Sequence, residues 1–208
     1  MKLPITLSCA LATLALCGAA AAQSAAANGP KTYATLGYTV GGDVLVTGTY
    51  SNTGEPFTLR AGQGFLAMVG VQHPLSDKWS GQAAVGYHYD RTNGDGWNFE
   101  FTRFPAEVMV HYALNDDWRV GLGGRYAFDP KFKSLGTFAS QGNRRLTASP
   151  GAVVELQYML YPLRTSMAGR GAAGGISLKW AQENYTLKGV SSLERDGQHI
   201  AISLFGYF

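Results

Sequence analysis

Apolar and polar side chains alternate with a period of two from Tyr33 to the end of the chain, which is the spacing that places successive side chains on opposite faces of a β-strand. Polar and glycine-rich stretches interrupt the alternation and divide it into segments. The pattern therefore predicts an all-β chain with eight strands. The predicted strands are 33–50, 57–73, 79–90, 98–112, 118–128, 152–161, 175–185 and 199–208.

Two short polar turns, LSDKW at 75–79 and LNDDW at 114–118, repeat at an offset of 39 residues. A period near 40 residues also occurs in β-propellers, but only two copies match and neither contains a four-strand blade. Tight turns at one end and longer connections at the other are typical of transmembrane β-barrels, in which the long loops are extracellular. Trp79 and Trp118, beside the turns, are then expected at the membrane interface.

The charged residues of five successive predicted strands share one face, and the opposite face is apolar. A soluble eight-stranded barrel of the lipocalin type would need polar outer faces, which these strands lack. An inside-out barrel accounts for the pattern, with apolar residues toward lipid and charges toward the lumen. Opposite charges in so narrow a lumen should pair, because an unpaired buried charge is strongly destabilising. The predicted lumen ion-pair network consists of Arg103, Glu107, Arg125, Glu155, Lys179 and Glu183.

The start of the chain has the pattern of a cleaved secretory signal, with a basic residue, an apolar stretch and small residues before a cleavage site after Ala22. We expect a signal peptide at 1–22, a short periplasmic lead at 23–31 and the barrel at 32–208. Acylation of Cys17 is an alternative, although the residue before it is bulkier than lipoprotein signals require. Both cysteines, Cys9 and Cys17, lie in the signal, so the mature chain is expected to form no disulfide.

The mature chain is nearly neutral, with 16 basic and 14 acidic residues once Lys2 is removed. Nucleic-acid binding would require a clustered basic excess, which is not present. After Ala22 no run approaches the roughly 20 apolar residues of a membrane-spanning helix. Any crossing of a membrane is therefore expected to use strands.

The terminal strand, HIAISLFGYF, ends on an aromatic residue after alternating apolar positions. This ending resembles the assembly signal of Gram-negative outer-membrane barrels, although Gly206 stands at the third-last position where that family usually has a second aromatic residue. With the signal, the turns and the alternation, segment 32–208 resembles the small outer-membrane β-barrel family that includes the OmpA-type transmembrane domain. The residues of the predicted assembly signal are Ile202, Leu204, Phe205, Tyr207 and Phe208.

The resemblance implies an eight-stranded antiparallel up-and-down barrel in the outer membrane, with a plugged polar interior. The expected partners are outer-membrane lipids and lipopolysaccharide, together with the barrel-assembly machinery, and the chain is expected to be a monomer without a cofactor. The leading functional hypothesis is a structural or surface-interaction role in which four extracellular loops are displayed.

Two alternatives remain open at this stage. A narrow OmpW-like channel for ions or small molecules would need unpaired interior charges. A lipid A-modifying enzyme would need a histidine with a hydroxyl or carboxylate partner at the outer rim, and the deacylase pattern has a histidine two residues before a serine. Here His199 precedes Ser203 by four residues, and His73, His88 and His111 show no metal-binding spacing, so we expect no catalytic and no metal site.

Basic residues are concentrated in the third predicted outer loop, at 129–149. Such side chains gain electrostatic attraction near anionic headgroups, so they could meet lipopolysaccharide phosphates. A solvated polar loop is the simpler alternative. The basic residues concerned are Lys131, Lys133, Arg144 and Arg145.

Overall fold

The computed structural model describes residues 29–50, 52–94, 96–136, 142–161, 173–187 and 190–208, and the regular structure in these ranges is entirely β. The predicted signal peptide and residues 23–28 of the predicted lead lie outside them. The strands are β1 (Lys31–Gly41), β2 (Val44–Thr49), β3 (Pro56–Arg60), β4 (Gly64–Pro74), β5 (Trp79–Gly94), β6 (Trp97–Ala113), β7 (Trp118–Gly136), β8 (Arg144–Ala148), β9 (Gly151–Tyr161), β10 (Ala173–Ala181), β11 (Asn184–Leu187), β12 (Val190–Asp196) and β13 (His199–Tyr207).

Eight of these strands form a closed antiparallel barrel, in the order β1, β4, β5, β6, β7, β9, β10 and β13 around the wall. The ring closes where β13 pairs with β1, and Thr32 and Phe208 exchange backbone hydrogen bonds of 3.0 and 2.9 Å. Closure leaves no open sheet edge, which lipid would not tolerate. The predicted all-β, eight-stranded antiparallel barrel is confirmed.

The outer wall of the barrel is apolar and exposed, whereas the inner wall is largely polar and buried. On β13, for example, Ile200, Ile202 and Leu204 point outward, and Ala201 and Ser203 point inward. The side chains are therefore arranged inside out relative to a soluble domain, with a surface suited to lipid. Among the residues described, no helix combines the length and the apolar composition needed to cross a membrane.

Exposed aromatic side chains ring the apolar wall at both ends. On β7 the segment from Trp118 of one ring to Phe128 of the other is eleven residues long, which matches the roughly 9–11 residues of a tilted strand that crosses a bilayer. Aromatic girdles of this kind mark the two membrane interfaces. The girdle beside the short turns includes Trp79, Trp118, Tyr158 and Phe208, and the opposite girdle includes Tyr38, Phe65, Tyr87, Phe104 and Phe128.

Beyond the second girdle, the strands continue above the membrane and build a folded cap. Strands β5, β6 and β7 are 16, 17 and 19 residues long, so they extend past the barrel. The hairpin β2–β3 and the small sheet of β8, β11 and β12 complete this part. The cap encloses an apolar cluster, here called the cap core, whose buried members are Leu59, Ala61, Phe99, Phe101, Ala127, Phe132, Ala148 and Tyr185.

Three predicted strands are each divided in two at the boundary between the barrel wall and the cap. The predicted strand 57–73 is interrupted between Arg60 and Gly64, so that it forms β3 and β4. The predicted strand 33–50 ends at Gly41, because Gly41 and Gly42 adopt φ angles of 130° and 77° that turn the chain out of the wall. A Cβ atom at Gly41 would lie 2.6 Å from the carbonyl oxygen of Gln198, so a side chain would not fit. The predicted strand 175–185 is interrupted at Gln182 and Glu183, and the chain then enters β11.

Candidate functional site: the ion-paired lumen

The charged residues of the barrel gather inside it, because every second side chain of each strand points inward. All six residues of the predicted network lie there, each with at most 2 % of its surface exposed. Arg103 and Glu107 come from β6, and Arg125, Glu155 and Lys179 come from β7, β9 and β10. Glu183 follows β10 at the level where the cap begins.

Glu107 lies at the centre of the network, and its carboxylate accepts hydrogen bonds from two cationic side chains. It is the direct cross-strand neighbour of Arg125, and Arg125 Nη1 lies 2.6 Å from Glu107 Oε1. Lys179 Nζ reaches across the lumen to within 2.6 Å of the other carboxylate oxygen, Oε2. Ala84 is the register neighbour of Glu107 on one side, and Gly151 is the register neighbour of Arg125 on the other. Both neighbours are small, so they leave room for the long side chains of Glu107 and Arg125.

Glu155 extends the network toward the short-turn end of the barrel. Its Oε1 lies 3.9 Å from Lys179 Nζ, and its Oε2 lies 3.0 Å from Nε2 of His111. The histidine reaches Glu155 over Gly121, which is the register partner of both residues. A Cβ atom at Gly121 would come within 2.6 Å of the His111 ring, so the absence of a side chain makes this contact possible.

Glu183 connects the network to the cap core. Its carboxylate pairs with Arg125 and accepts a hydrogen bond from the Tyr185 hydroxyl, and Arg103 Nε lies 3.4 Å from its Oε2. The Arg103 guanidinium also donates to the carbonyl oxygen of Ala61 and lies over the rings of Phe101 and Tyr185, at 5.1 and 5.5 Å from their centroids. Arg103 therefore joins the ion pairs below it to the aromatic residues above.

The contacts form one continuous chain of side chains, from Arg103 through Glu183, Arg125, Glu107 and Lys179 to Glu155. Three cations face three carboxylates, so the layer is neutral although it is removed from water. Balance of this kind is needed because each buried, unpaired charge would cost several kcal/mol. An eight-stranded barrel has an interior only wide enough for side chains, so this layer fills the lumen at mid-height.

Below the ion pairs, uncharged polar groups occupy the lumen. The Tyr207 hydroxyl lies 3.0 Å from Oε1 of Gln157 and 3.3 Å from Oε1 of Gln82. Arg119 also points inward but lies outside the network. The Cζ atom of its guanidinium is 5.8 Å from the centroid of the Tyr207 ring. Asp90 also points inward. Its Oδ1 accepts a hydrogen bond of 2.9 Å from the backbone N–H of Arg91, and the structure does not bring Asp90 into the ion-pair chain either.

Two histidines, His88 and His199, lie in the upper lumen, and Nε2 of His88 is 3.4 Å from Nη2 of Arg103. His88 Nε2 is 2.8 Å from the hydroxyl oxygen of Thr39, and the rings of His88 and His199 meet edge to face at 5.3 Å. Nδ1 of His199 contacts the carbonyl oxygen of Gly197 at 2.8 Å. All three side chains are buried inside the wall. Within the described ranges, no three histidine, cysteine or acidic residues are grouped so that they could hold a metal ion.

The residues of the predicted assembly signal occupy both faces of β13. Ile202, Leu204 and Phe208 point toward lipid, whereas Phe205 and Tyr207 are buried in the lumen. The Phe208 ring folds over the third-last residue, and a Cβ atom there would lie 2.9 Å from it, which accounts physically for a glycine at that position. The predicted interface residues Trp79 and Trp118 are exposed at the short-turn girdle, where their rings pack on Tyr112 and Tyr158.

A cavity of about 330 Å³ opens in the wall where β9 begins. It is bounded by Gly123 of β7, Gly151 and Ala152 of β9, and the Gln182–Glu183 break after β10. Just above this point the pairing of β7 with β9 ends at Arg125 and Gly151, and the pairing of β7 with β8 begins only at Lys131. The cavity is large enough for a small organic molecule.

Sequence reasoning missed several members of the interior cluster. His111 and Tyr185 were not assigned to the network. The position of His111 on the inward-facing side of its strand was a usable signal. The carbonyl of Ala61 could not be found in this way, because its contact with Arg103 depends on how the cap folds over the barrel. The contact of the Thr39 hydroxyl with His88 depends on the register of β1, β4 and β5.

A closed barrel with an apolar outer wall, two aromatic girdles and a charge-neutral lumen defines an integral outer-membrane β-barrel protein of the Gram-negative type. Residues 26–156 match the model of the family described as "Putative MetA-pathway of phenol degradation", and the chain belongs to that family. Comparison with curated proteins finds no match.

Several solved barrels are similar in fold. Ail, the attachment invasion locus protein of Yersinia pestis, crystallised with the heparin analogue sucrose octasulfate, is 12 % identical over 85 % of this chain and 98 % of its own, with a TM-score of 0.48. The outer membrane protein AlkL in DMPC bilayers is 14 % identical over 90 % and 94 %, with a TM-score of 0.38. The translocator domain of the autotransporter NalP from Neisseria meningitidis is 12 % identical over 96 % and 67 %, with a TM-score of 0.36.

Proposed function

We propose that the protein is a closed, non-catalytic barrel that holds a folded extracellular cap for interactions at the cell surface. The supporting observation is the combination of two layers stacked along one axis. The neutral chain of ion pairs fills the lumen at the level of Glu107, and the apolar cap core packs directly on Arg103 above it. The lower layer blocks a wide aqueous path, and the upper layer fixes the shape of the displayed surface.

The cap has the properties of a rigid platform. Phe57 and Trp97 pack at 4.5 Å between centroids, Tyr50 stacks on Trp97 at 5.7 Å, and Phe99 continues the ladder into the buried cluster. Aromatic packing of this kind holds the β2–β3 hairpin against β6. The exposed turn at 52–55 then projects from a fixed base.

Two measurements test the proposal together. In a planar lipid bilayer, the purified protein should give no steady ionic current, whereas a variant with Glu107→Ala and Lys179→Ala should conduct more. An epitope that replaces residues 52–55 should be detected by antibody on intact cells. A steady current through the unaltered protein would contradict the closed lumen, and an epitope detected only after permeabilisation would contradict surface display.

A second candidate, the binding or passage of small aromatic molecules, is favoured by the family description and the wall cavity. Calorimetric titration of the solubilised protein with phenol tests it. Saturable binding that Ala152→Phe abolishes would support this candidate, because the substituted ring would occupy the cavity. The absence of binding to the unaltered protein would exclude phenol as a ligand of this site.

A further inference from the structure

Three basic residues share the outer face of the cap, on β7 and β8. Lys131 and Arg145 are direct cross-strand neighbours. Lys133 lies two residues beyond Lys131 on the same face of β7. Arg144 pairs with Phe132, a buried member of the cap core, and therefore lies on the opposite face of the sheet. Arg145 is exposed and the two lysines are half-buried. The group of Lys131, Lys133 and Arg145 is called the basic cluster below.

The basic cluster stands immediately above the outer aromatic girdle. Lys131 follows the exposed girdle residue Phe128 by three positions on β7, which corresponds to about 10 Å along a tilted strand. Aromatic girdles lie at the level of the headgroups, so side chains just beyond the girdle reach the headgroup phosphates of the outer leaflet. The position of the cluster along the barrel axis is therefore set by the membrane.

A bulge in β7 fixes the direction of these side chains. Asp129 and Pro130 together oppose the single residue Arg103 of β6, and Asp129 adopts a φ angle of 47°. The extra residue lets Phe128 face lipid and Lys131 also face outward, while Arg103 remains in the lumen. The carboxylate of Asp129 pairs with Lys131, and the hydrogen bond that Lys131 donates lowers the pKa of Asp129 below its ordinary value.

The protein itself leaves the basic cluster under-neutralised. Lys131 and Arg145 are like charges placed directly opposite each other, which is an unfavourable arrangement in a sheet. Asp129 pairs with Lys131, and Glu100 is the register neighbour of Lys133. The charge of Arg145 also acts on Asp129 and lowers its pKa, so this one carboxylate serves two cations. The three cations of the basic cluster therefore share two carboxylates, and the excess positive charge faces the headgroup region.

We propose that the basic cluster binds the phosphate groups of outer-leaflet lipid headgroups, those of lipopolysaccharide in the native membrane. The guanidinium of Arg145 can hold a phosphate through two parallel hydrogen bonds, and Lys131 adds a second positive charge from the neighbouring strand. Phe128 and Phe104, directly below, provide an apolar surface for the acyl chains of the same lipid. One lipid molecule would thus contact the cluster and the girdle together.

The test uses the full mature protein in detergent and measures retained lipid by native mass spectrometry. Three probes are added separately: lipid A with both phosphates, the same lipid with its phosphates removed, and inorganic phosphate. The proteins compared are the unaltered chain, Arg145→Gln, the double variant Lys131→Gln with Arg145→Gln, and Lys78→Gln. The last variant is the matched control, because Lys78 is an exposed cation at the opposite membrane face.

Binding of phosphorylated lipid A should fall about fivefold in Arg145→Gln and about twentyfold or more in the double variant, and Lys78→Gln should bind like the unaltered chain. Dephosphorylated lipid should bind equally weakly to all four proteins, and inorganic phosphate should not be retained. Heat-modifiable migration verifies that each variant is folded. Undiminished binding in the double variant, or equal binding of dephosphorylated lipid to the unaltered protein, would overturn the proposal. Retention of inorganic phosphate alone would show a site for free phosphate and would equally overturn it.

Discussion

Lys179 of β10 and Glu107 of β6 meet across the lumen, with Nζ and Oε2 2.6 Å apart and both side chains buried. Two strands, β7 and β9, lie between them in the wall, so the contact braces the barrel across its interior. Replacement of one partner leaves the other charge buried and uncompensated. We expect Lys179→Met or Glu107→Gln alone to lower the free energy of unfolding by about 3–5 kcal/mol.

The double variant Glu107→Gln with Lys179→Met should recover much of this loss, because Arg103 and Arg125 would still face Glu155 and Glu183 in equal number. Urea unfolding in lipid, followed by tryptophan fluorescence, measures all three proteins. If the double variant is as unstable as the sum of the single variants, the two charges do not compensate each other. If the single variants are as stable as the unaltered chain, the network does not contribute to stability.

Gly121 and Gly124 of β7 provide a second test of lumen packing. A Cβ atom at Gly121 would lie 2.6 Å from the His111 ring, whereas one at Gly124 would meet only the carbonyl oxygen of Gly151, at 3.9 Å. Gly121→Ala should therefore lower the free energy of unfolding by about 1–3 kcal/mol through overpacking, and Gly124→Ala should leave it nearly unchanged. The same urea titration measures both variants. Equal stability of the two would show that His111 does not cross over Gly121 to reach Glu155.

Phe208 closes the ring and is expected to matter for assembly. Its backbone pairs with Thr32, and its side chain, 42 % exposed, lies on the lipid-facing wall. We expect Phe208→Ser to reduce the amount of folded protein in the outer membrane several-fold. Phe104→Ser is the matched control, because Phe104 is 48 % exposed on the same wall and lies far from the closing strand. Quantitative immunoblotting of outer-membrane fractions, with boiled and unboiled samples, gives the comparison.

A similar loss in both variants would mean that Phe208 contributes only lipid-facing hydrophobic surface. Normal levels of Phe208→Ser would contradict a role of the terminal residue in assembly.

The alternation of side chains was sufficient to predict the barrel, because lipid on one side and a narrow lumen on the other impose the same period on every strand. It placed Ile202 and Leu204 on one wall and Glu107 and Lys179 on the other. It could not predict the cap, in which β2, β3, β8, β11 and β12 leave the barrel wall, because a period of two persists through such departures. The breaks at Gly41 and after Ala181 depend on backbone angles and on close approach to other strands.

The alternation of side chains also could not predict which residues of different strands contact each other. Parity indicates that His111 and Glu155 face inward, but their meeting over Gly121 depends on the register of three strands. The basic cluster was predicted as a set of loop residues, whereas Lys131 and Lys133 lie on β7 and are directed outward by the bulge at Asp129. Asp129-Pro130 was a usable signal for that bulge, because proline in a central strand is confined to bulges and aspartate is one of the residues that tolerate the φ angle of 47°.

The orientation of the apolar wall toward lipid can be measured directly with nitroxide spin labels. Both native cysteines, Cys9 and Cys17, lie within residues 1–22, so a chain that begins at Gln23 can be labelled selectively at Leu178→Cys or Ile202→Cys, with Asn52→Cys in the exposed turn as a control. In reconstituted bilayers, labels at 178 and 202 should collide more with oxygen than with a water-soluble nickel complex, and the label at 52 should show the reverse. Preferential collision of the nickel complex with labels 178 and 202 would contradict the account, because that wall of the barrel would then face water.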